Sequence, residues 1–167
     1  DRNALIFDAE FSKYLSFNSK FSLEVTARGR TNLQRATIDY FNLPVVGPKP
    51  EVIRGYITQH IRGSDFAYLK SSLRYQVFDL SINLRKYMPI KAYRNLPVQV
   101  YLKLNNDLTY VRTAINSDAS NTLLNRRLYG RGFGIDIVGA NLALLELMYN
   151  FNDLGGRQFD FHFYYAF

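Results

Sequence analysis

Alternation with a period of two runs through this chain from end to end, and it is sharpest at the C-terminus. Phe159, Phe161, Phe163, Tyr165 and Phe167 fall on one face, with Asp160, His162, Tyr164 and Ala166 on the other. Successive side chains of an extended strand point to opposite faces, so this pattern commits the segment to strand rather than helix. The segment before it places Ala143, Leu145, Leu147, Tyr149 and Phe151 against Leu144, Glu146, Met148 and Asn150. Upstream, Tyr129, Phe133, Ile135 and Ile137 oppose Gly130, Gly132, Gly134 and Asp136, and Val98 to Leu108 alternates with Gln99 to Asp107. Further strands are expected near 65–77, 35–42, 20–30 and 4–14, with 79–86 extending one of them. The total is about eight antiparallel strands in one domain over 1–167, the even number that a single-chain bacterial barrel requires. Short connections at 31–34 and 139–140 alternate with long ones at 43–64 and 112–125, and 87–96 is a long exception. That order puts both termini at the short-turn end.

Alternation alone does not separate a membrane barrel from a soluble sandwich, whose apolar faces turn inward on each other. Five aromatics in unbroken alternation at the C-terminus are hard to interdigitate across a sheet spacing of about 10 Å. Acyl chains accept any shape. The opposite faces carry Asp8, Glu10, Glu24, Arg28, Lys70, Arg74, Lys103, Asp107, Asp136, Glu146 and Asp160, a mixed-charge set suited to a wet or ion-paired lumen. Aromatics make up 16% of the chain, all Tyr and Phe, as in the girdles of membrane barrels. No run of 18 apolar residues occurs, which excludes a membrane helix. These features favour a transmembrane barrel.

Chemistry-bearing patterns are sparse. The chain has no cysteine, and His60 and His162 are its two histidines, far apart in sequence; neither metal nor cofactor is expected. Acids at Asp107, Asp136 and Glu146 read as ion-pairing partners rather than as a catalytic pair, and no nucleophile–base set is visible, so no enzyme is expected. The net charge of +7 comes from basic residues scattered singly or in pairs, which suits anionic lipid and does not call for nucleic acid.

Four segments stand out together. Ile53-Arg54-Gly55-Tyr56 follows a Pro/Gly-rich approach, Asn42 to Pro50. Ser72-Leu73-Arg74-Tyr75 comes next, then Asn105-Asn106-Asp107-Leu108-Thr109, then Tyr129-Gly130-Arg131-Gly132-Phe133-Gly134-Ile135-Asp136. Their order and spacing resemble the BamA-type outer-membrane assembly and secretion barrels (the bacterial surface antigen family), over about residues 4–167. In that family a Val/Ile-Arg-Gly-Phe/Tyr motif sits in the sixth extracellular loop, five strands precede the C-terminus after it, and Glu-Leu-Arg and Phe-x-Asp-x-Gly segments follow. The final Phe167 and its alternating aromatics resemble the signal by which the barrel-assembly machinery recognises its clients, a form of strand addition.

The resemblance implies that the loop at about 43–64 folds back into the lumen. Arg54 would pair there with Asp107, or with Asp136 on the same face, and Arg74 would line the wall. The inward Gly130, Gly132 and Gly134 would leave room for the loop backbone. An Arg entering a partly desolvated lumen needs such an acid in any case. Ser72 stands where the family has Glu, and Asn105 and Thr109 where it has Phe and Gly, so a relaxed loop network is expected. By parity Arg131 faces lipid, marking the headgroup zone or a protein contact.

Family barrels usually have sixteen strands behind soluble periplasmic domains, and this chain reads as the C-terminal half. Eight strands enclose an interior that their own side chains fill, so three arrangements are open: the loop outside a small closed barrel, two copies joined edge to edge into sixteen strands, or a fragment. A short member without periplasmic domains, as a dimer, is the expectation. The implied setting is the bacterial outer membrane, in contact with the bilayer and lipopolysaccharide, with protein insertion or translocation through a seam as the leading function. A scaffold that kept the fold and lost the activity, and a passive pore, are the alternatives.

Overall fold

In the computed structural model, residues 5–33, 43–48, 51–83, 95–113, 122–139 and 143–165 are described. They form an all-β, mostly antiparallel structure. Seven long strands build one sheet: β1 (Ile6–Ser16), β2 (Phe21–Asn32), β6 (Asp65–Asn83), β7 (Asn95–Arg112), β8 (Arg127–Gly139), β9 (Ala143–Asn152) and β10 (Arg157–Tyr165). They lie side by side in chain order with β1 and β10 as edges, so among the described residues the sheet is open and no barrel closes. The connection from β2 to β6 carries three short strands, β3 (Val45–Gly47), β4 (Glu51–Val52) and β5 (Ile61–Arg62), in a sheet of their own ordered β4-β3-β5.

Among the described residues the sheet has seven strands, where about eight are expected over the whole chain. β2 bonds directly to β6 from Phe21↔Tyr75 to Arg30↔Phe66, so no strand intervenes between them; the segment 35–42 lies outside the described residues. Five strands do follow the loop, as the motif order implied. An odd count also moves the termini. Ile6 sits opposite Asn32, at the end of the long connections, whereas Tyr165 sits opposite Ala143, at the other end. β1 and β10 therefore run in the same direction.

The sheet has two unlike faces. Along β7, Lys103, Asn105, Asp107, Thr109 and Val111 are buried on the face that the β2–β6 connection covers, here called inner. Leu102, Leu104, Leu108 and Tyr110 between them are exposed. The outer face continues across Phe133 and Ile135 to Phe159, Phe161 and Phe163, which keep 66, 61 and 60% of their surface. In a water-soluble sandwich this would be the covered face. Here the covered face is the polar one.

β6 shows how the sequence maintains this. Its outward residues are odd-numbered up to Tyr75 and even-numbered from Phe78, because the register slips between Gln76 and Phe78. The bulge puts Phe78, Leu80 and Ile82 on the same outer surface as Leu69 and Leu73.

The apolar core does not lie between two sheets. Val46, Ile53, Tyr56 and Ile61 of the connection pack with Phe66, Tyr68, Val111 and Leu128 at the loop end of the inner face, all 7% exposed or less. The connection is fixed to the wall by its own hydrophobic staple.

Candidate functional site

The tip of the connection rests on the inner wall through Ile53-Arg54-Gly55-Tyr56. Ile53 and Tyr56 enter the core and close a turn, with the Tyr56 amide donating to the Ile53 carbonyl at 3.0 Å. Gly55 takes φ +80°, a left-handed conformation that a side chain would strain. Its own added Cβ would press within 3.1 Å of the Phe151 carbonyl. The turn thus aims Arg54 away from the core and along the wall.

Arg54 is gripped from three strand positions. Its Nη1 donates to Asp107 Oδ1 at 3.0 Å and to the Ser71 carbonyl at 3.3 Å, and its Nη2 donates to Ser72 Oγ at 2.9 Å. The Arg54 backbone amide donates to Asp107 Oδ2 at 3.0 Å, so both carboxylate oxygens are used. Asp107 is fully buried, while the Arg54 side chain keeps 17% of its exposure. A buried carboxylate without a cation is costly, so each partner holds the other in place. Of the two acids considered for Arg54, Asp107 takes the role. Asp136 does not; it is held by Arg74 at 3.3 Å and Lys103 at 3.6 Å.

The expected relaxation of the network is not what the geometry gives. Ser72 is shorter than the Glu of the family motif and uncharged, yet its hydroxyl reaches the guanidinium directly because β6 lies beside β7 with Ser72 opposite Asn105. Gly130 has the role foreseen for it. A Cβ there would enter the van der Waals envelope of the Arg54 carbonyl oxygen. Gly132 and Gly134 instead make room for Asn150 and Met148 of the neighbouring strand, so the space they free is taken by the wall itself.

Two contacts were not legible beforehand. Asn152 Nδ2 donates to the Gly55 carbonyl at 2.7 Å, while its Oδ1 accepts from the Gly156 amide at 2.8 Å, tying the loop tip to the β9–β10 turn. The Tyr56 hydroxyl donates to Asp153 in the same turn, and Arg126 pairs with that acid at 3.1 Å. Burial first, and then the Asp153 carboxylate, push the Tyr56 phenol above its ordinary range. The parity of β9 put Asn152 inward, but nothing in the sequence said which loop atom it would meet.

Below the loop the inner face is a lattice of ion pairs. Lys103 bonds Glu146; Arg74 bridges Asp136 and Glu24 at 3.3 and 3.4 Å; His162 Nδ1 lies 3.7 Å from Glu146. Farther along, Asp160 accepts from Asn150 at 2.6 Å and from Gln158 at 2.7 Å. Arg74 is therefore an inner-wall residue, as expected, but its partners are strand acids rather than the loop. The aromatic series Phe159, Phe161, Phe163 and Tyr165 points outward and exposed, and Phe167 lies outside the described residues.

What the described residues of this arrangement do is bind a loop. Comparison with known proteins adds no relative: no family model, curated protein or solved structure matches the chain.

Proposed function

We propose that this chain contributes the C-terminal strands of a BamA-type outer-membrane β-barrel, a factor related to those that insert or translocate proteins, acting through its seam and its lumen loop without covalent chemistry. The observation that carries this reading is the Arg54–Asp107 clamp: an Ile-Arg-Gly-Tyr turn is held inside a wall whose outer face is apolar and exposed. A bilayer is the environment in which such an outer face is stable, and a sheet open at both edges needs further strands before it can span one. Edge parity constrains those strands. Because β1 and β10 run in the same direction, antiparallel closure takes an odd number of added strands. Counting the described strands alone, a second copy related by an axis along the barrel would set β10 beside β1 in parallel and bring fourteen strands together.

A second reading, a scaffold that keeps the fold without moving clients, draws on the depth of the staple. Val46, Ile53, Tyr56 and Ile61 are all fully buried, which suits a fixed strut. Depletion of the protein in its native cells separates the two. Insertion activity predicts lower folded levels of other outer-membrane barrels, restored by the wild-type chain and poorly by Arg54→Ala. Unchanged barrel assembly after complete depletion eliminates the insertion reading, and one stable partner retained by Arg54→Ala favours the scaffold.

A further inference from the structure

We infer that the outer wall at the loop end holds one molecule of a phosphorylated, multiply acylated glycolipid, with an acyl chain in a groove over β1, β2 and β6 and its phosphates on Arg112 and Arg127. The inference rests on the membrane reading above and adds to it a defined lipid site.

The outer face is not uniform. Over most of its area large apolar side chains stand up from the sheet, but at the loop end a groove of about 390 Å³ opens between Phe7 and Tyr110, floored by Ala9, Gly29 and Ala67. Those three residues stand opposite one another on adjacent strands, and the same row continues through Tyr110 to Arg127. A second depression, of about 460 Å³, adjoins it across Ala67 and Tyr110 and ends at Arg127. Packing does not demand the glycine: a Cβ at Gly29 would meet no atom closer than 4.0 Å. What Gly29 contributes is depth. The cleft is lined mainly by apolar surface, and an acyl chain is the flexible apolar object that fills such a space.

Charge supplies the second observation. Three arginines that point inward are paired: Arg28 with Asp8, Arg54 with Asp107, Arg74 with Asp136. The outward ones, Arg112, Arg127, Arg131 and Arg157, are exposed, make no ion pair among the described residues and all lie in the half of the outer face nearest the long connections. Asp65 stands across from Arg112, but its Oδ1 accepts from the Thr31 hydroxyl at 2.7 Å and the Asn32 amide at 3.0 Å. Arg131 lies over the Tyr129 ring at 4.9 Å and the Phe151 ring at 5.8 Å, the amphipathic arrangement of a headgroup zone. Unpaired guanidiniums at the loop end, with Arg112 and Arg127 on neighbouring rows beside a groove for hydrocarbon, match a ligand with phosphate at one end and acyl chains at the other. In the proposed orientation the long connections face outward, which selects the glycolipid of the outer leaflet over the phospholipid of the inner one.

Native mass spectrometry of the folded protein released from bilayers tests this, using lipid A as the probe and phosphatidylglycerol as competitor. Flotation of the proteoliposomes is scored first. A lipid A adduct is expected that survives excess phosphatidylglycerol and weakens about tenfold with each of Arg112→Gln and Arg127→Gln, the loss of one charge-assisted contact. Gly29→Leu, which fills the groove at a position with open space, should remove the adduct while leaving flotation intact. Protein that floats but binds both lipids alike, or whose adduct is indifferent to Gly29→Leu, overturns the site and leaves the membrane reading standing. Protein that does not float overturns both.

Discussion

Removing Arg54 tests the loop–wall clamp most directly. Arg54→Ala leaves Asp107 with the backbone amide of residue 54 as its remaining loop donor, at a position with no solvent exposure. Breaking a buried pair by deleting one partner costs about 3–5 kcal/mol. Against this stands the staple, in which Val46, Ile53, Tyr56 and Ile61 are fully buried. At about 1.5–3 kcal/mol per apolar side chain these contribute roughly 6–12 kcal/mol gross. The staple wins, so the variant should keep the loop docked as its ground state. The open fraction should rise by about two to three and a half powers of ten. Chymotryptic cleavage after Tyr56, followed by mass spectrometry on folded protein, reads that fraction when reclosing outpaces cutting. The decisive variant combines Arg54→Met with Asp107→Leu. Since the single change strands a charge and the double change removes both, the double variant should be cleaved more slowly than Arg54→Met alone. Equal or additive acceleration in the double variant would refute the claim that a stranded carboxylate, rather than lost packing, drives the opening.

Gly130→Ala should weaken docking of the loop tip without releasing it, because the obstacle is the Arg54 backbone carbonyl and not a side chain that can turn away; a cost of about 1–3 kcal/mol is expected in a denaturant titration. Gly29→Ala, facing open space, should change stability by less than about 0.5 kcal/mol in the same titration. Loop docking should also depend on pH through Tyr56. Its phenol titrates later in the folded chain than in the unfolded one, so its contribution is whole below about pH 10 and declines above that as the unfolded chain ionises first. A stability profile between about pH 9 and 12 checks this, and Tyr56→Phe should flatten the decline. On the outer face, Leu104→Arg should cost about 2–4 kcal/mol in a bilayer if the residue sits at mid-depth. A near-zero effect there would count against lipid contact.

Much of the architecture was readable because strand geometry is local. Parity assigned Leu102, Leu104 and Leu108 to one face and Lys103, Asn105 and Asp107 to the other, and β7 keeps that division residue by residue. The sequence showed two successive alternating runs, 65–77 and 79–86, but the bulge between Gln76 and Phe78 came only from the register with β7. The loop motif and Asp107 were legible through the order of motifs, which is a property of the chain. Strand count was not. Which strand lies beside β2 depends on which partners its backbone hydrogen-bonds, and backbone groups carry no label for their partner. The sheet supplied that answer by pairing β2 with β6 along its length. Likewise the chain determined that Asn152, Ser72 and Gly130 point inward. Only the tertiary structure decided that they meet the Gly55 carbonyl, the Arg54 guanidinium and the Arg54 carbonyl, because those contacts join residues far apart in sequence across a loop whose path is set by its apolar staple.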